Sequence, residues 1–348
     1  MFYYKQKNNF YEPMKVLTDL EIQFKIDNKT KPLGSLGKLE EYAFKICKIQ
    51  NTLNPILKPI AFIFAADHGI AEEGVSAYPQ EVTYQMVLNF LRGGAAMNVF
   101  CNQHGIPLYV VDSGVKGTFE NHPRLLHYKI REGTRNFFKE PAMTENELKT
   151  AFDSAKIILE NYAIDKNLLI CGEMGIANTT AASAILYALS DYSIDDCVGK
   201  GTGINESALQ KKKEVIKQSV ERYQLKNQDP LKVLQYVGGF EIAMMSAMYL
   251  EAYKKNMILL IDGFISTSAY LVAYKINPNI IHHTFFSHLS NENGHKNLLK
   301  LFSQEPILNL NLRLGEGTGS AIAYPILESA VRFINEMADF DSAGVSKA

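Results

Sequence analysis

Residues 59–69 read Pro59-Ile-Ala-Phe-Ile-Phe-Ala-Ala-Asp-His-Gly69. The run from Pro59 to Ala66 is continuously apolar, of strand length, and lacks the polar alternation of a half-exposed strand. That pattern suits a parallel strand covered on both faces. It recurs at Pro107–Asp112, Asn167–Gly172, Met257–Asp262 and Ile280–Phe286, and several of these runs end in a polar residue or a glycine. Helical patterns lie between them. Leu148, Ala151, Phe152, Ala155, Leu159 and Tyr162 recur at spacings of three and four, one apolar stripe. Residues 81–104, 178–190, 205–224, 240–255, 264–275 and 321–338 read as further helices.

This alternation predicts an α/β fold: a doubly wound, mostly parallel, Rossmann-like sheet flanked by helices, over 58–324. Residues 1–57 show no convincing strand and read as a second, smaller helical domain, which a C-terminal helix over 325–348 can join. Ligands of such sheets bind beyond the carboxyl ends of the strands. Here those ends carry Asp67-His68-Gly69, Gly172-Glu173 and Asp262-Gly263.

Composition narrows the class. Hydrophobic residues make up 47% and charged residues 21% of the 348, which excludes wholesale disorder. Lys+Arg number 36 against 37 Asp+Glu, a net charge of -1, without the bulk basic footprint of a nucleic-acid binder. Cys47, Cys101, Cys171 and Cys197 are scattered and read as reduced thiols. The N-terminal residues show no secretory signal. The longest apolar stretches, 59–66 and 257–261, fall short of the ~20 residues that cross a bilayer. The expectation is a cytoplasmic protein that binds neither membrane nor nucleic acid.

Glycine gathers in a few loops. Gly172-Glu-Met-Gly-Ile-Ala-Asn-Thr-Thr180 leaves a strand and opens a helix, while Gly199-Lys-Gly-Thr-Gly203 and Gly315-Glu-Gly-Thr-Gly319 precede others. Glycine lets backbone N–H groups approach an anion, and a helix N-terminus supplies donors and a favourable dipole. Asn178, Thr179 and Thr180 add side-chain donors. No P-loop and no dinucleotide fingerprint is present, so a phosphate-bearing mononucleotide fits better than ATP or NAD. Glu316, flanked by glycines, is a candidate general base if burial raises its pKa; Glu173 shares the Gly-Glu context. His282, His283, His288 and His295 cluster without metal-ligand spacing, and neither metal nor cofactor is expected. Met257–Ser268 resembles a diphosphoribosyl-binding motif only weakly, because Asp262 is followed by glycine and not by a second acid.

Together these motifs resemble the nicotinate-nucleotide–dimethylbenzimidazole phosphoribosyltransferase family. The matching stretches are Asp67–Thr83, Asn89–Ala96, Gly172–Ala182, Gly238–Ala243, Ile261–Ile265 and Arg313–Gly319, with the Thr30–Gly37 loop. The resemblance implies transfer of phosphoribose from nicotinate mononucleotide to 5,6-dimethylbenzimidazole, with Glu316 as general base and inversion at C1′. It implies that Glu173, Gly175, Asn178, Thr179, Thr180, Gly201, Gly203 and Lys212 surround the nucleotide and its phosphate. It implies Asp262 and Ser290 for the ribose side, and it aligns the family's lysine with Lys212 in the run Lys211–Lys213. The acceptor base would rest among Tyr78, Gln85, Met174 and Leu314, and the assembly would be a homodimer.

Ala177 stands at a usual glycine, a cheap replacement where φ is negative. Leu33 and Asn205-Glu206 also depart from the family pattern. Other readings stay open at this stage: another lower-ligand base, such as a different benzimidazole, adenine or a phenol, or a catalytically silent nucleotide-binding relative.

Overall fold

The structure is a computed structural model that describes residues 16–199, 203 and 205–346. Six strands form the sheet: β1 (Pro59–Ala66), β2 (Leu108–Gly114), β3 (Leu125–His127), β4 (Leu168–Met174), β5 (Ile258–Ile261) and β6 (Thr284–Phe286). Their order is β3-β2-β1-β4-β5-β6 and every pair is parallel. Every residue of β1 is buried, the consequence of helices on both faces. Strand order reverses between β1 and β4, where Ala65 pairs with Met174. That is the switch point at which such sheets open a crevice.

The helices, in chain order, are α1 (Asp19–Asp27), α2 (Lys38–Gln50), α3 (Glu81–Arg92), α4 (Ala96–Gln103), α5 (Glu145–Tyr162), α6 (Asn178–Leu189), α7 (Ile194–Cys197), α8 (Glu206–Arg222), α9 (Pro230–Val237), α10 (Phe240–Lys254), α11 (Phe264–Ile276), α12 (Asn293–Phe302), α13 (Thr318–Glu336) and α14 (Phe340–Ala343). α6, α10 and α11 are buried along most of their length, in keeping with sequences apolar all round.

The structure corrects the sequence reading in places. The single helix expected over 81–104 is α3 and α4, because Gly93 ends α3 in the left-handed region at φ 82°. The strand expected over 280–286 is only β6. Pro278–His283 forms a 3₁₀ turn, opened by the Asn277 side chain accepting from Asn279 N. β3 was not anticipated at all.

The chain folds as two compact units, Ile56–Ser329 and a smaller one of the residues up to Pro55 with Ala330 onward. The small unit's core joins Ile22, Ile26, Ala43, Cys47, Ala330 and Ile334. Thr18 and Glu21 close α1 with a reciprocal capping box. A buried Lys31–Glu40 ion pair at 2.8 Å ties the 30–37 loop to α2.

Candidate active site

A cavity of about 550 Å³ opens beyond the carboxyl ends of β4 and β5. Its walls include Glu173, Met174, Gly175, Asn178, Thr179, Lys212, Asp262, Ser290, Leu314 and Glu316, with Tyr78 at the side. Residues from widely separated stretches converge because the loops that carry Gly175, Gly263 and Gly315 meet here.

The closest approach is between β4 and the loop before α13. A Cβ on Gly172 would lie 2.0 Å from the Glu316 carbonyl oxygen, so only glycine fits. Gly315, Glu316 and Gly317 run at φ 82°, 65° and 90°. For the glycines this is free; for Glu316 it costs about 1–2 kcal/mol, strain of the kind that gathers at functional sites. Glu173 Oε1 accepts a hydrogen bond from Glu316 N at 3.3 Å, and its Oε2 accepts from the Asn178 side-chain amide. Glu316 is buried and its Oε2 has no hydrogen-bond partner. Burial, then the negative charge of Asp262, pushes its pKa up to about 7, against the Met97 backbone N–H. Burial raises Glu173 to about 8.

α6 begins without a side-chain cap, so its first turn faces the cavity uncovered. Lys212 reaches that turn from α8, its Nζ donating to Thr179 Oγ1 at 2.8 Å. It is 1% exposed, whereas Lys211 is exposed and Lys213 pairs with Asp195 at 2.7 Å. Lys212 is thus the lysine of this run that lines the cavity. Burial lowers its pKa to about 8, while the charge of Glu292 opposes the shift.

Ala177 is at φ 74°, the reverse of the negative φ that would have made it a cheap replacement for glycine. Beneath it the 174–177 loop is braced by buried polar groups. Ile176 N donates to Thr83 Oγ1 at 3.0 Å, and Gly175 packs so closely on Ala66 O and the His68 ring that a Cβ would reach 2.4 Å. His68 is wholly buried, 2.7 Å from Glu241 on α10. Its partner is therefore Glu241 and not the adjacent Asp67, which accepts from Lys116 N. Sequence reasoning missed Thr83 as a brace, because its partner Ile176 lies far along the chain.

Some expected site residues are elsewhere. Gln85 is exposed on α3 and does not line the cavity; Thr83, on the buried side of that helix, makes the contact to the loop. Thr180 is wholly buried behind the cavity wall. Gly203 is exposed and outside the lining, at φ 105°. Gly201 lies outside the described residues. Asp262 lines the cavity, but both its oxygens already accept from backbone N–H groups of the Glu316 loop.

A family model described as Phosphoribosyltransferase matches residues 12–345. The chain is 49% identical, over 94% of its length and 95% of the relative's, to nicotinate-nucleotide–dimethylbenzimidazole phosphoribosyltransferase of Cupriavidus taiwanensis. It is 46% identical to the protein of that name from Photobacterium profundum, over 93% and 96%. The chain belongs to the nicotinate-nucleotide–dimethylbenzimidazole phosphoribosyltransferase family. The fold agrees: the crystal structure of CobT from Thermus thermophilus superposes with a TM-score of 0.91 at 42% identity, covering 95% of this chain and 99% of that one. Within this family member, no group of three or more His, Cys, Asp or Glu among the described residues is placed to hold a metal ion. No helix among them is long and apolar enough to cross a membrane.

Proposed function

We propose that this chain transfers the 5-phosphoribosyl group of nicotinate mononucleotide to 5,6-dimethylbenzimidazole, releasing nicotinate and forming α-ribazole 5′-phosphate. The observation that carries the mechanism is the Glu316 carboxylate, buried in the cavity wall with one oxygen unpartnered. A base with a pKa of about 7 is well matched to neutral pH. Glu316 would take the benzimidazole N–H proton while the other ring nitrogen attacks C1′ from the face opposite nicotinate. The C1′–N bond to nicotinate breaks with its electron pair going to the ring nitrogen. That nitrogen is cationic while attached, so the leaving group needs no further activation, and the β-linkage becomes α.

The phosphate would sit at the uncapped start of α6, held by Gly175, Asn178, Thr179 and Lys212. A helix N-terminus with a buried cation suits an anion. The flat acceptor would rest against Met174, Leu314 and Tyr78. Leu314 and Tyr78 are more than half exposed, and this open side supports a second reading in which other benzimidazoles, adenine or a phenol also serve.

The working form would be a cytoplasmic homodimer. Supporting this are four buried free cysteines and an apolar stripe on α1 and the residues before it, with Leu20 82% and Phe24 72% exposed. The reaction is tested by incubating purified protein with nicotinate mononucleotide and a panel of bases. Nicotinate release is followed by chromatography and the product's anomeric configuration by NMR. No release with any base would overturn the proposal; release with adenine alone would favour the second reading.

A further inference from the structure

Two carboxylates flank the loop that carries the proposed base, and they are not equivalent. Glu173, at the end of β4, accepts from Glu316 N. Asp262, just past β5, accepts from Gly317 N with Oδ2 at 3.1 Å and from Ser320 N with Oδ1 at 3.0 Å. Consecutive peptide N–H groups are therefore pinned by acids from adjacent strands. Asp262 is seated over the first turn of α13, where N–H groups lack partners within the helix. Its own position is fixed from behind. Thr267 Oγ1 donates to the Asp262 carbonyl, and Thr267 meets His295 Nε2 at 3.0 Å. His295 Nδ1 accepts from Ser290 N, which leaves the ring proton on Nε2, and burial keeps this ring neutral, its pKa lowered to about 3.

We propose that Asp262 is a positioning residue for Glu316, holding the left-handed Gly315–Gly317 turn in register with the cavity, and not a ligand of the ribose. This rests on reading Glu316 as the proton acceptor. Asp262 is 1% exposed and each oxygen is already engaged by backbone, so little of it is left for a sugar hydroxyl. The same seat sets the Asp262 carboxylate beside Glu316, where its charge favours the neutral form of Glu316. The other groups facing this loop are Glu173 from β4, the Met97 backbone N–H from α4, and His288, whose Nδ1 lies 3.7 Å from Asp262 Oδ1 and 3.0 Å from Ser287 Oγ. None of them seats the Gly317 and Ser320 N–H groups as Asp262 does.

The test is the pH profile of Asp262→Asn, which keeps the shape and removes the charge. The acid limb of kcat/KM for dimethylbenzimidazole is expected to move down by roughly one pH unit. The alkaline plateau of kcat should fall about ten- to a hundredfold as the loop loosens. The calorimetric Kd for nicotinate mononucleotide should stay within about threefold, since no uniform binding contact is lost. An unmoved limb, with the loss confined to a weaker nucleotide Kd, would return Asp262 to the ribose and overturn the proposal. Should Asp262→Asn melt below the assay temperature, Asp262→Glu is read instead. It keeps the charge, so kcat should drop with the limb unmoved, and a weakened nucleotide Kd would again refute the idea. Glu316→Gln is assayed alongside: if it stays active, the reading of Glu316 fails whatever Asp262 does.

Discussion

Lys212 offers the sharpest test of how the cavity handles an anion, because burial costs the empty protein what a bound phosphate would repay. Its pKa of about 8 stands against the usual 10.5, a difference worth about 3 kcal/mol at roughly 1.4 kcal/mol per unit. Below pH 8 the lysine is charged in both the folded and unfolded chain, so this penalty on folding is fully present. Between 8 and 10.5 the folded protein sheds the proton while the unfolded chain keeps it. Stability without ligand therefore rises with pH across that window, and the contribution vanishes above it. Lys212→Met, apolar and of similar length, removes the penalty but also the hydrogen bond to Thr179, worth about 1 kcal/mol. The net expectation is a ligand-free variant about 2 kcal/mol more stable than wild type at pH 7, with the gain shrinking toward pH 10. Binding should move the opposite way. Removing one partner of a buried charge pair costs about 2–5 kcal/mol, so nicotinate mononucleotide should bind at least thirtyfold more weakly. Denaturant titrations across pH give the first quantity. Calorimetry in two buffers of different ionisation enthalpy gives the second, together with proton uptake on binding near pH 8.5, which the variant should lack. A variant no more stable than wild type that still binds the nucleotide tightly would refute the reasoning on both counts.

Three further outcomes are expected. Glu316→Gln should fold normally and lose about 10²–10⁴-fold in turnover, while wild-type kcat/KM should climb through an acid limb near pH 7 as Glu316 ionises; a flat profile from pH 6 to 8 counts against it as base. Gly172→Ala places a methyl group 2.0 Å from Glu316 O, so Tm should fall by the equivalent of about 1–3 kcal/mol and activity with it; wild-type behaviour would mean that the two loops are not in contact. Ala177→Gly relieves a residue at φ 74° but loosens the unfolded chain, so it should be neutral or stabilising by up to about 1 kcal/mol. Ala177→Val should cost more than that, and equal melting temperatures for both variants would contradict the left-handed backbone.

Legibility followed the range of the forces involved. β1, β4 and β5 announce themselves because burial on both faces leaves uninterrupted apolar runs. β3 is three residues long, too short for any period to register. Pro278 turns an apolar run into a 3₁₀ turn by local chemistry that hydrophobicity does not reveal. At the site, glycine flanks marked Glu173 and Glu316 as candidates, although of the two only Glu316 sits on a tight turn and Glu173 ends β4. Which lysine of Lys211–Lys213 lines the cavity is decided by burial, not by the sequence. Long-range partners were illegible. Nothing in Asp262-Gly263 says that its carboxylate will meet backbone donors more than fifty positions on. Gln85 and Thr83 show the same limit at one turn's scale: both lie on α3, and only packing decides which faces the loop.

The near-neutral charge of the chain is compatible with the proposed phosphate site. An anion would need no basic face if the uncapped start of α6 and the buried Lys212 met it, and these add little to a net charge of -1. The difficulty lies on the other side, where Glu173, Asp262 and Glu316 crowd one loop in a water-poor wall. They cannot all be charged cheaply, and burial raises Glu173 to about 8 and Glu316 to about 7. Asp262 accepts from two backbone N–H groups of the turn that carries Glu316 and of the helix start that follows it. Both Glu173 oxygens are engaged, whereas Glu316 keeps an unpartnered oxygen with its pKa pushed up to about 7, so between these two Glu316 is the carboxyl with an oxygen open to a proton. On the proposed reading, an azole acceptor that arrives neutral and must give up one proton would meet there a carboxylate made basic by burial and by Asp262, on a turn that Asp262 holds. The strain at φ 65° is the local cost of turning that carboxylate toward the cavity, and the pairs that hold Glu316 N and Gly317 N offset it.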